Sequence, residues 1–144
     1  MRYLLDVNVW VALLDDAHTH SARANSFIDQ RGIKIATCPL VENGVVRVLN
    51  SPNYGLRGAV GIDQVRESLK RATTELDHQF WPDDVSILDD ERIHFSKVFG
   101  RNQITDVYLL ALAVAHRGAL VTFDHHIALT AVKSASEKHL VVLR

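Results

Sequence analysis

The feature that most constrains the fold of this chain is the alternation of short apolar runs with segments of helical periodicity. The apolar runs have the length of buried strands, whereas the helical segments repeat apolar residues every three or four positions. This pattern predicts strands at residues 2–6, 33–38, 85–88, 119–123 and 140–143, and helices at residues 9–15, 20–31, 39–50, 62–76, 91–99 and 105–117. Strands that alternate with helices build βαβ units, so we expect an α/β fold with a mainly parallel sheet and helices on both faces.

Length and composition narrow the class of protein. A chain of 144 residues with 47% hydrophobic content can bury a core, which excludes intrinsic disorder and favours one domain over residues 1–144. The formal net charge of −1 excludes a generally basic nucleic-acid coat protein. The single cysteine, Cys38, excludes an internal disulfide and favours a reducing compartment. Since there is neither a long apolar run nor a signal-peptide pattern, we expect a cytoplasmic protein without a membrane partner.

Two acidic residues follow directly after predicted strands. Asp6 ends the strand-like opening "RYLLD", and Asp124 follows the run "ALVTF". In open α/β sheets, ligands bind at the carboxyl ends of the strands. The sequence therefore predicts that both carboxylates lie at the functional edge of the sheet.

Two further acidic residues stand near the starts of predicted helices. Glu42 and Asp106 each have apolar residues three, four and seven positions later, so both lie on the apolar stripe of their own helix. A helix that follows a strand begins at the carboxyl edge of the sheet, so all four acids can converge there. Four carboxylates repel one another unless a cation neutralises them, and oxygen ligands favour Mg²⁺ or Mn²⁺.

Each of these residues also has a purely structural interpretation. An acid at a helix start is commonly a cap or a partner of the helix dipole, and an acid after a strand is commonly a turn former. Asn8 either caps a helix that begins at Val9 or holds Asp6, or a metal-bound water, by hydrogen bonds. Thr122 and Thr105 are either hydroxyls at the site or, respectively, a strand residue and a helix cap.

Three stretches of the chain together resemble one known family. In this order, "LLDVNVWVALL", "PLVENGVVRVL" and "ITDVYLLALAVAHRGALVTFD" closely resemble the PIN-domain nucleases, and within them the VapC-type toxins of bacterial toxin–antitoxin pairs. The resemblance spans nearly the whole chain and implies a PIN-like three-layer α/β/α sandwich. The catalytic and metal-binding acids that it carries over are Asp6, Glu42, Asp106 and Asp124. Asn8 and Thr122 are supporting candidates, and the pattern assigns no role to His125 and His126.

The resemblance also implies an activity and a set of partners. The activity is Mg²⁺-dependent endonucleolytic cleavage of RNA, with Mn²⁺ able to substitute. A metal-activated water is expected to attack in line, leaving a 5′-phosphate and a 3′-hydroxyl. The implied partners are RNA as the substrate, a small cognate antitoxin and a second copy of the chain. Neither the target RNA nor the number of metal ions follows from the sequence.

Other functions fit parts of the pattern. Phosphatases of the haloacid dehalogenase type use D-x-D after the first strand, whereas this chain has "DVN", with Asn8 in place of the second acid. A receiver-type signalling domain needs an acid pair near its start and a late lysine at the sheet edge, and neither is evident. A housekeeping PIN nuclease without an antitoxin, and a non-catalytic interaction module that retains the acids, both stay open.

Positive charge is concentrated in the middle of the chain. Most of these side chains are expected on ordinary solvated helix faces, and some are candidates for contacts with RNA phosphates around the acidic site. The residues concerned are Arg57, Arg66, Lys70, Arg71, Arg92, Lys97 and Arg101.

Overall fold

A parallel sheet with the strand order β3-β2-β1-β4-β5 forms the centre of the computed structural model, which describes residues 1–55 and 58–144. The strands are β1 (Tyr3–Leu5), β2 (Lys34–Thr37), β3 (Asp77–Phe80), β4 (Ala119–Thr122) and β5 (Leu140–Val142). Each neighbouring pair is parallel, and Leu4 of β1 lies between Ala36 of β2 and Leu120 of β4. The predicted α/β class with a mainly parallel sheet is confirmed.

Helices cover both faces of this sheet. They are α1 (Val7–Leu14), α2 (Ser21–Ile28), α3 (Pro39–Leu49), α4 (Ile62–Glu75) and α5 (Ile104–Ala115). Helix α1 packs on α2 and α3, and α3 packs on α4, whereas α5 packs on β1, β4 and the 3-10 turns before β5. Because crossovers between parallel strands are right-handed, α1 to α4 cover one face and α5 covers the other, as in the predicted three-layer sandwich. No helix in the described ranges is long and apolar enough to cross a membrane.

The central strands and α5 form the most deeply buried part of the core. Leu4 and Leu5 of β1 and Leu120 and Val121 of β4 are inaccessible to solvent. Helix α5 is apolar on nearly all sides because it lies between the sheet and the segments that precede β5. The polar residues at the ends of these elements are therefore held by rigid surroundings.

Two predicted elements are wrong. Residues 85–88 form no strand, and the strand at this edge of the sheet is instead β3, a polar segment. Residues 91–99 form no α-helix and contain only a 3-10 turn at Phe95–Lys97. Val85 and Ile93 are each buried, so the apolar residues in these segments mark single contacts with the core and not a repeating face.

The order of the strands reverses direction at the carboxyl ends of β1 and β4. After β1 the chain continues on the face of α1, and the connection that follows β4 packs against α5 on the opposite face. Such divergence is where open α/β sheets bind their ligands. Close packing brings α3 to this edge as well, because Gly44 faces Val7 of α1, and a Cβ at Gly44 would lie 2.7 Å from Cγ2 of Val7.

Candidate functional site

Asp6 ends β1 and caps helix α1. Its Oδ1 accepts a hydrogen bond of 2.7 Å from the backbone amide of Val7, and its carbonyl accepts bonds from the amides of Val9 and Trp10. The residue is only 7% exposed. Helix α1 thus begins at Val7, and the expectation that Asn8 caps a helix beginning at Val9 is wrong.

Thr122, the last residue of β4, joins the ends of the two central strands. Its Oγ1 donates a hydrogen bond of 2.9 Å to Oδ2 of Asp6 and accepts one of 3.0 Å from the backbone amide of Asp124. Thr122 is only 1% exposed, so both bonds are shielded from water. One hydroxyl therefore sets the relative positions of two of the predicted acids.

Asp124 also orders the turn that follows β4. Its Oδ1 accepts a hydrogen bond of 2.7 Å from the backbone amide of His126. His125 and His126 are both exposed at this turn. The structure therefore places the two histidines beside the acidic edge without assigning either of them a contact to the acids through its ring.

Asp106 reaches the same edge from the other face of the sheet, because it stands in the first turn of α5. Burial, the charges of Asp6 and Asp124, and a side-chain hydrogen bond with Asp124 raise the pKa of Asp106 to about 7. Burial also raises the pKa of Asp6, while the hydrogen bonds from Thr122 and Val7 oppose that rise. Three carboxylates from three different elements, named here the three-acid cluster (Asp6, Asp106 and Asp124), thus act on one another.

Glu42 lies at the same edge but is held differently. It stands in the first turn of α3, and its Oε2 accepts a hydrogen bond of 2.9 Å from Oγ1 of Thr37, the last residue of β2. The same hydroxyl lies 2.7 Å from Nε2 of His78 in β3. Burial lowers the pKa of His78, with Arg2 acting in the same direction and Glu42 in the opposite one. Glu42 is therefore held by the hydroxyl of Thr37, which His78 contacts in turn, whereas the three-acid cluster is made of like charges.

Two polar residues that the sequence placed near the site are exposed. Asn8 lies within the first turn of α1, and its side chain makes no hydrogen bond within the described part of the chain. Thr105 lies inside α5, whose cap position is Gln103, so the interpretation of Thr105 as a helix cap is wrong.

Thr37 and His78 were not predicted as site residues. Thr37 had a signal, because it ends a strand-like run just as Thr122 does and precedes a helix-start acid. His78 had none, since it lies on β3, which the apolar pattern did not indicate. Of the basic residues considered as RNA contacts, Arg57 lies outside the described residues. The other six are exposed: Arg66, Lys70, Arg71, Arg92, Lys97 and Arg101.

The chemistry of the three-acid cluster suits a hard divalent cation. Its donors are carboxylate oxygens, and the mutual repulsion that contributes to the raised pKa of Asp106 is the kind that such an ion relieves. Among residues 1–55 and 58–144, no three acidic, histidine or cysteine side chains are already arranged around one point as metal ligands. The donor types therefore fit the ion, and side-chain adjustment would be needed to surround it.

Sequence comparison relates the whole chain to known proteins. A family model described as "PIN domain" matches residues 3–133. Ribonuclease VapC44 of Mycobacterium tuberculosis is 47% identical over 146 residues, which covers 99% of this chain and 100% of that protein. Ribonuclease VapC38 of the same organism is 43% identical over 122 residues, which covers 84% of each chain.

Structural comparison agrees on the fold. The crystal structure of VapBC2 from Rickettsia felis, bound to a DNA fragment from the promoter, contains a chain that superposes with a TM-score of 0.55. The match covers 86% of this chain and 89% of that chain, with 16% sequence identity. At this identity, the likeness concerns the α/β sandwich alone.

Proposed function

This chain belongs to the PIN domain family, as a VapC-type member, and from this premise we propose that it is a metal-dependent endoribonuclease and the toxin of a toxin–antitoxin pair. The observation that carries the proposal is the meeting of Asp6, Asp106 and Asp124 at the carboxyl ends of β1 and β4. Full-length relatives that are named ribonucleases support RNA as the substrate. The free, buried thiol of Cys38 is compatible with action in the cytoplasm.

Mg²⁺ is the proposed cofactor, with Mn²⁺ able to replace it, and the proposed ligands are Asp6, Asp106, Asp124 and Glu42. When bound, such an ion lowers the pKa of a water and stabilises the charge that develops on the scissile phosphate. The oxygen donors and the repulsion within the three-acid cluster support this choice.

The chain's own residues supply the positioning. The hydroxyl of Thr122 and the amide of Val7 each hold one oxygen of Asp6, so this carboxylate is fixed before any substrate binds. Asp106 approaches from α5 on the other face, so that carboxylates from both faces of the sheet meet at this edge. Asn8 presents an exposed amide two residues after Asp6, where it can hydrogen-bond a bound water or a phosphate oxygen.

A nuclease assay tests the proposed chemistry. Purified protein is incubated with total bacterial RNA in Mg²⁺ and in excess EDTA, alongside Asp6→Ala and the control Asp29→Ala, an exposed acid after α2. We expect cleavage by the wild type and Asp29→Ala in Mg²⁺, and none in EDTA or by Asp6→Ala. Cleavage that survives both EDTA and Asp6→Ala would show that the acidic edge is not the active site.

The toxin role predicts slower growth of a bacterial host that expresses the chain alone. The matched control is the same plasmid carrying Asp6→Ala. Normal growth with abundant folded protein and intact RNA would contradict the toxin role. The nuclease activity itself is tested separately, by the assay with purified protein. Sequencing of RNA 5′-ends after brief induction would identify the target.

The proposed partners are a small antitoxin and a second copy of the chain. A flexible antitoxin segment that orders on binding can cover the acidic edge, and an arginine in it can pair with the carboxylates in competition with Mg²⁺. Co-expression with a short neighbouring reading frame, followed by measurement of particle mass and RNase activity, tests both. Both proposals would be refuted if the chain were a monomer and if the protein encoded by the neighbouring frame left its RNase activity unchanged.

A further inference from the structure

We propose that Thr37 and His78 act as positioning residues that fix the carboxylate of Glu42 at the active edge, an inference that rests on the proposed function. Three elements contribute to this arrangement, which we name the Glu42 relay (Glu42, Thr37 and His78). Glu42 comes from α3, Thr37 from the end of β2 and His78 from β3. The two contacts are 2.9 Å from Thr37 Oγ1 to Glu42 Oε2 and 2.7 Å from Thr37 Oγ1 to His78 Nε2.

The number of available protons determines which group donates each hydrogen bond in the relay. A threonine hydroxyl has one proton, and an ionised carboxylate can only accept a hydrogen bond. Thr37 therefore donates to Glu42, and the remaining contact requires that His78 donate from Nε2–H to the oxygen of Thr37. This assignment sets the position of the imidazole proton: Nε2 carries it.

The sheet register places the relay on one face. Residues 35 and 37 of β2 point to the same side, because side chains alternate along a strand. His78 pairs with Ile35 and therefore lies on that side of the sheet. Thr37 has no solvent exposure, so water does not compete for its hydroxyl. A buried hydroxyl with both partners in place holds its acceptor more firmly than an exposed one.

The same device occurs at Asp6, which argues for a functional purpose. Thr122 is the last residue of β4 and donates to Asp6, just as Thr37 is the last residue of β2 and donates to Glu42. In both cases a buried threonine at a strand end orients an acid at the start of the neighbouring helix or at its cap. Hydrogen bonds behind metal-binding carboxylates are worth about tenfold to a hundredfold in metal affinity or activity.

Four variants test the relay by cleavage kinetics and by Mn²⁺ affinity from electron paramagnetic resonance. Thr37→Val removes the hydroxyl and Thr37→Ser keeps it, whereas His78→Leu removes the donor and His78→Gln keeps an N–H donor. We expect Thr37→Val and His78→Leu to lower kcat and weaken Mn²⁺ binding by about tenfold, with KM for RNA unchanged and with recovery in the conservative variants. Thr74→Val, which removes an exposed hydroxyl bonded within α4, serves as the control.

The outcomes separate the relay from the proposed function. If Glu42→Gln is inactive while Thr37→Val and His78→Leu retain wild-type kcat and Mn²⁺ affinity, the relay is wrong and the nuclease function stands. If Glu42→Gln is fully active, or the wild type cleaves no RNA, the proposed role of Glu42 fails and the relay fails with it. If the variants do not fold, the ¹⁵N NMR spectrum of His78 in the wild type tests the relay. The relay requires a proton on Nε2, so a neutral ring protonated only at Nδ1 would overturn it.

Discussion

The three-acid cluster and the Glu42 relay lie at the same edge of the sheet, yet their carboxylates have different charged and polar neighbours. In the cluster, Asp6, Asp106 and Asp124 face one another, and burial and like charge raise the pKa of Asp106 to about 7. In the relay, Glu42 faces the hydroxyl of Thr37, which is supported in turn by a histidine. Like charges therefore face one another in the first arrangement, whereas the second places Glu42 against a hydroxyl that also contacts an imidazole.

This difference suggests that the two groups contribute differently to the binding of a cation. A frustrated group of acids gains most from an added cation, since each carboxylate that the ion neutralises also relieves its neighbours. An acid outside such a group, as Glu42 is, gains less from the ion. We therefore expect changes in the cluster to affect activity most and changes in the surroundings to have graded effects.

The largest expected effect comes from Asp106→Asn. The variant removes one charge from the cluster at nearly constant shape, so RNA cleavage should fall on the order of a thousandfold. In EDTA its thermal midpoint should rise above that of the wild type, because the repulsion of Asp106 with Asp6 and Asp124 is removed. RNase kinetics and thermal unfolding measure the two effects.

Asp63→Asn is the matched control for Asp106→Asn. Asp63 also stands in the first turn of a helix, α4, but is exposed. It should retain wild-type cleavage. Wild-type activity in Asp106→Asn would remove this residue from the site.

The next effect is that of Thr122→Val. Loss of the hydroxyl leaves Oδ2 of Asp6 and the amide of Asp124 without their partner in a buried position. The free energy of unfolding should fall by about 1–3 kcal/mol, as for other buried groups that lose a partner. Cleavage should slow by about tenfold to a hundredfold. Urea unfolding and kinetics test this, with exposed Thr130→Val as the control; equal stability of the two variants would contradict the expectation.

Asn8→Ala should separate function from stability. Its exposed side chain makes no hydrogen bond in the described part of the chain, so the free energy of unfolding should stay the same or rise by a few tenths of a kcal/mol through helix propensity. If Asn8 orders a bound water or a phosphate, kcat should fall by about tenfold. Asn43→Ala, at an exposed position of α3, is the control. Unchanged kcat in Asn8→Ala would leave Asn8 as a plain surface residue.

The smallest effect is expected for Gly44→Ala, which alters the distance between the two regions. The added methyl would meet Val7, at a cost of about 1–3 kcal/mol that better helix propensity offsets by about 1 kcal/mol. Unfolding free energy should fall by about 1 kcal/mol and cleavage by a few-fold. Adding Val7→Ala should restore part of both losses by making room. A stabilised Gly44→Ala would mean that α1 and α3 are not in tight contact.

Hydrophobic periodicity predicted the main elements of the site because the elements with the clearest apolar patterns are the buried ones. The runs that became β1 and β4 are continuous apolar segments, and α3 and α5 carry clear apolar stripes. Acids at the ends of such elements stand out. Asp6, Asp106 and Asp124 could therefore be placed together before the structure was known, and the parallel sheet followed from the same alternation.

Strand β3 and the partners of Glu42 could not be predicted, because the apolar pattern that would indicate them is weak or absent. Strand β3 consists of "DHQF" at an edge of the sheet, where no residue is buried and no alternation is imposed. For that reason nothing in the sequence indicated that His78 lies near the site. Periodicity also shows which face Glu42 occupies but not which hydroxyl it accepts from, since that depends on a neighbouring strand.

The hydrogen bond from Thr122 to Asp6 joins residues that are 116 positions apart. During synthesis, a growing chain that has passed Asp106 but has not yet reached β4 lacks both this bond and Asp124. Its three-acid cluster is therefore incomplete while most of the protein is already made. A fragment that ends before β4 lacks part of this cluster, and a second fragment that carries β4 must join it to supply the missing residues.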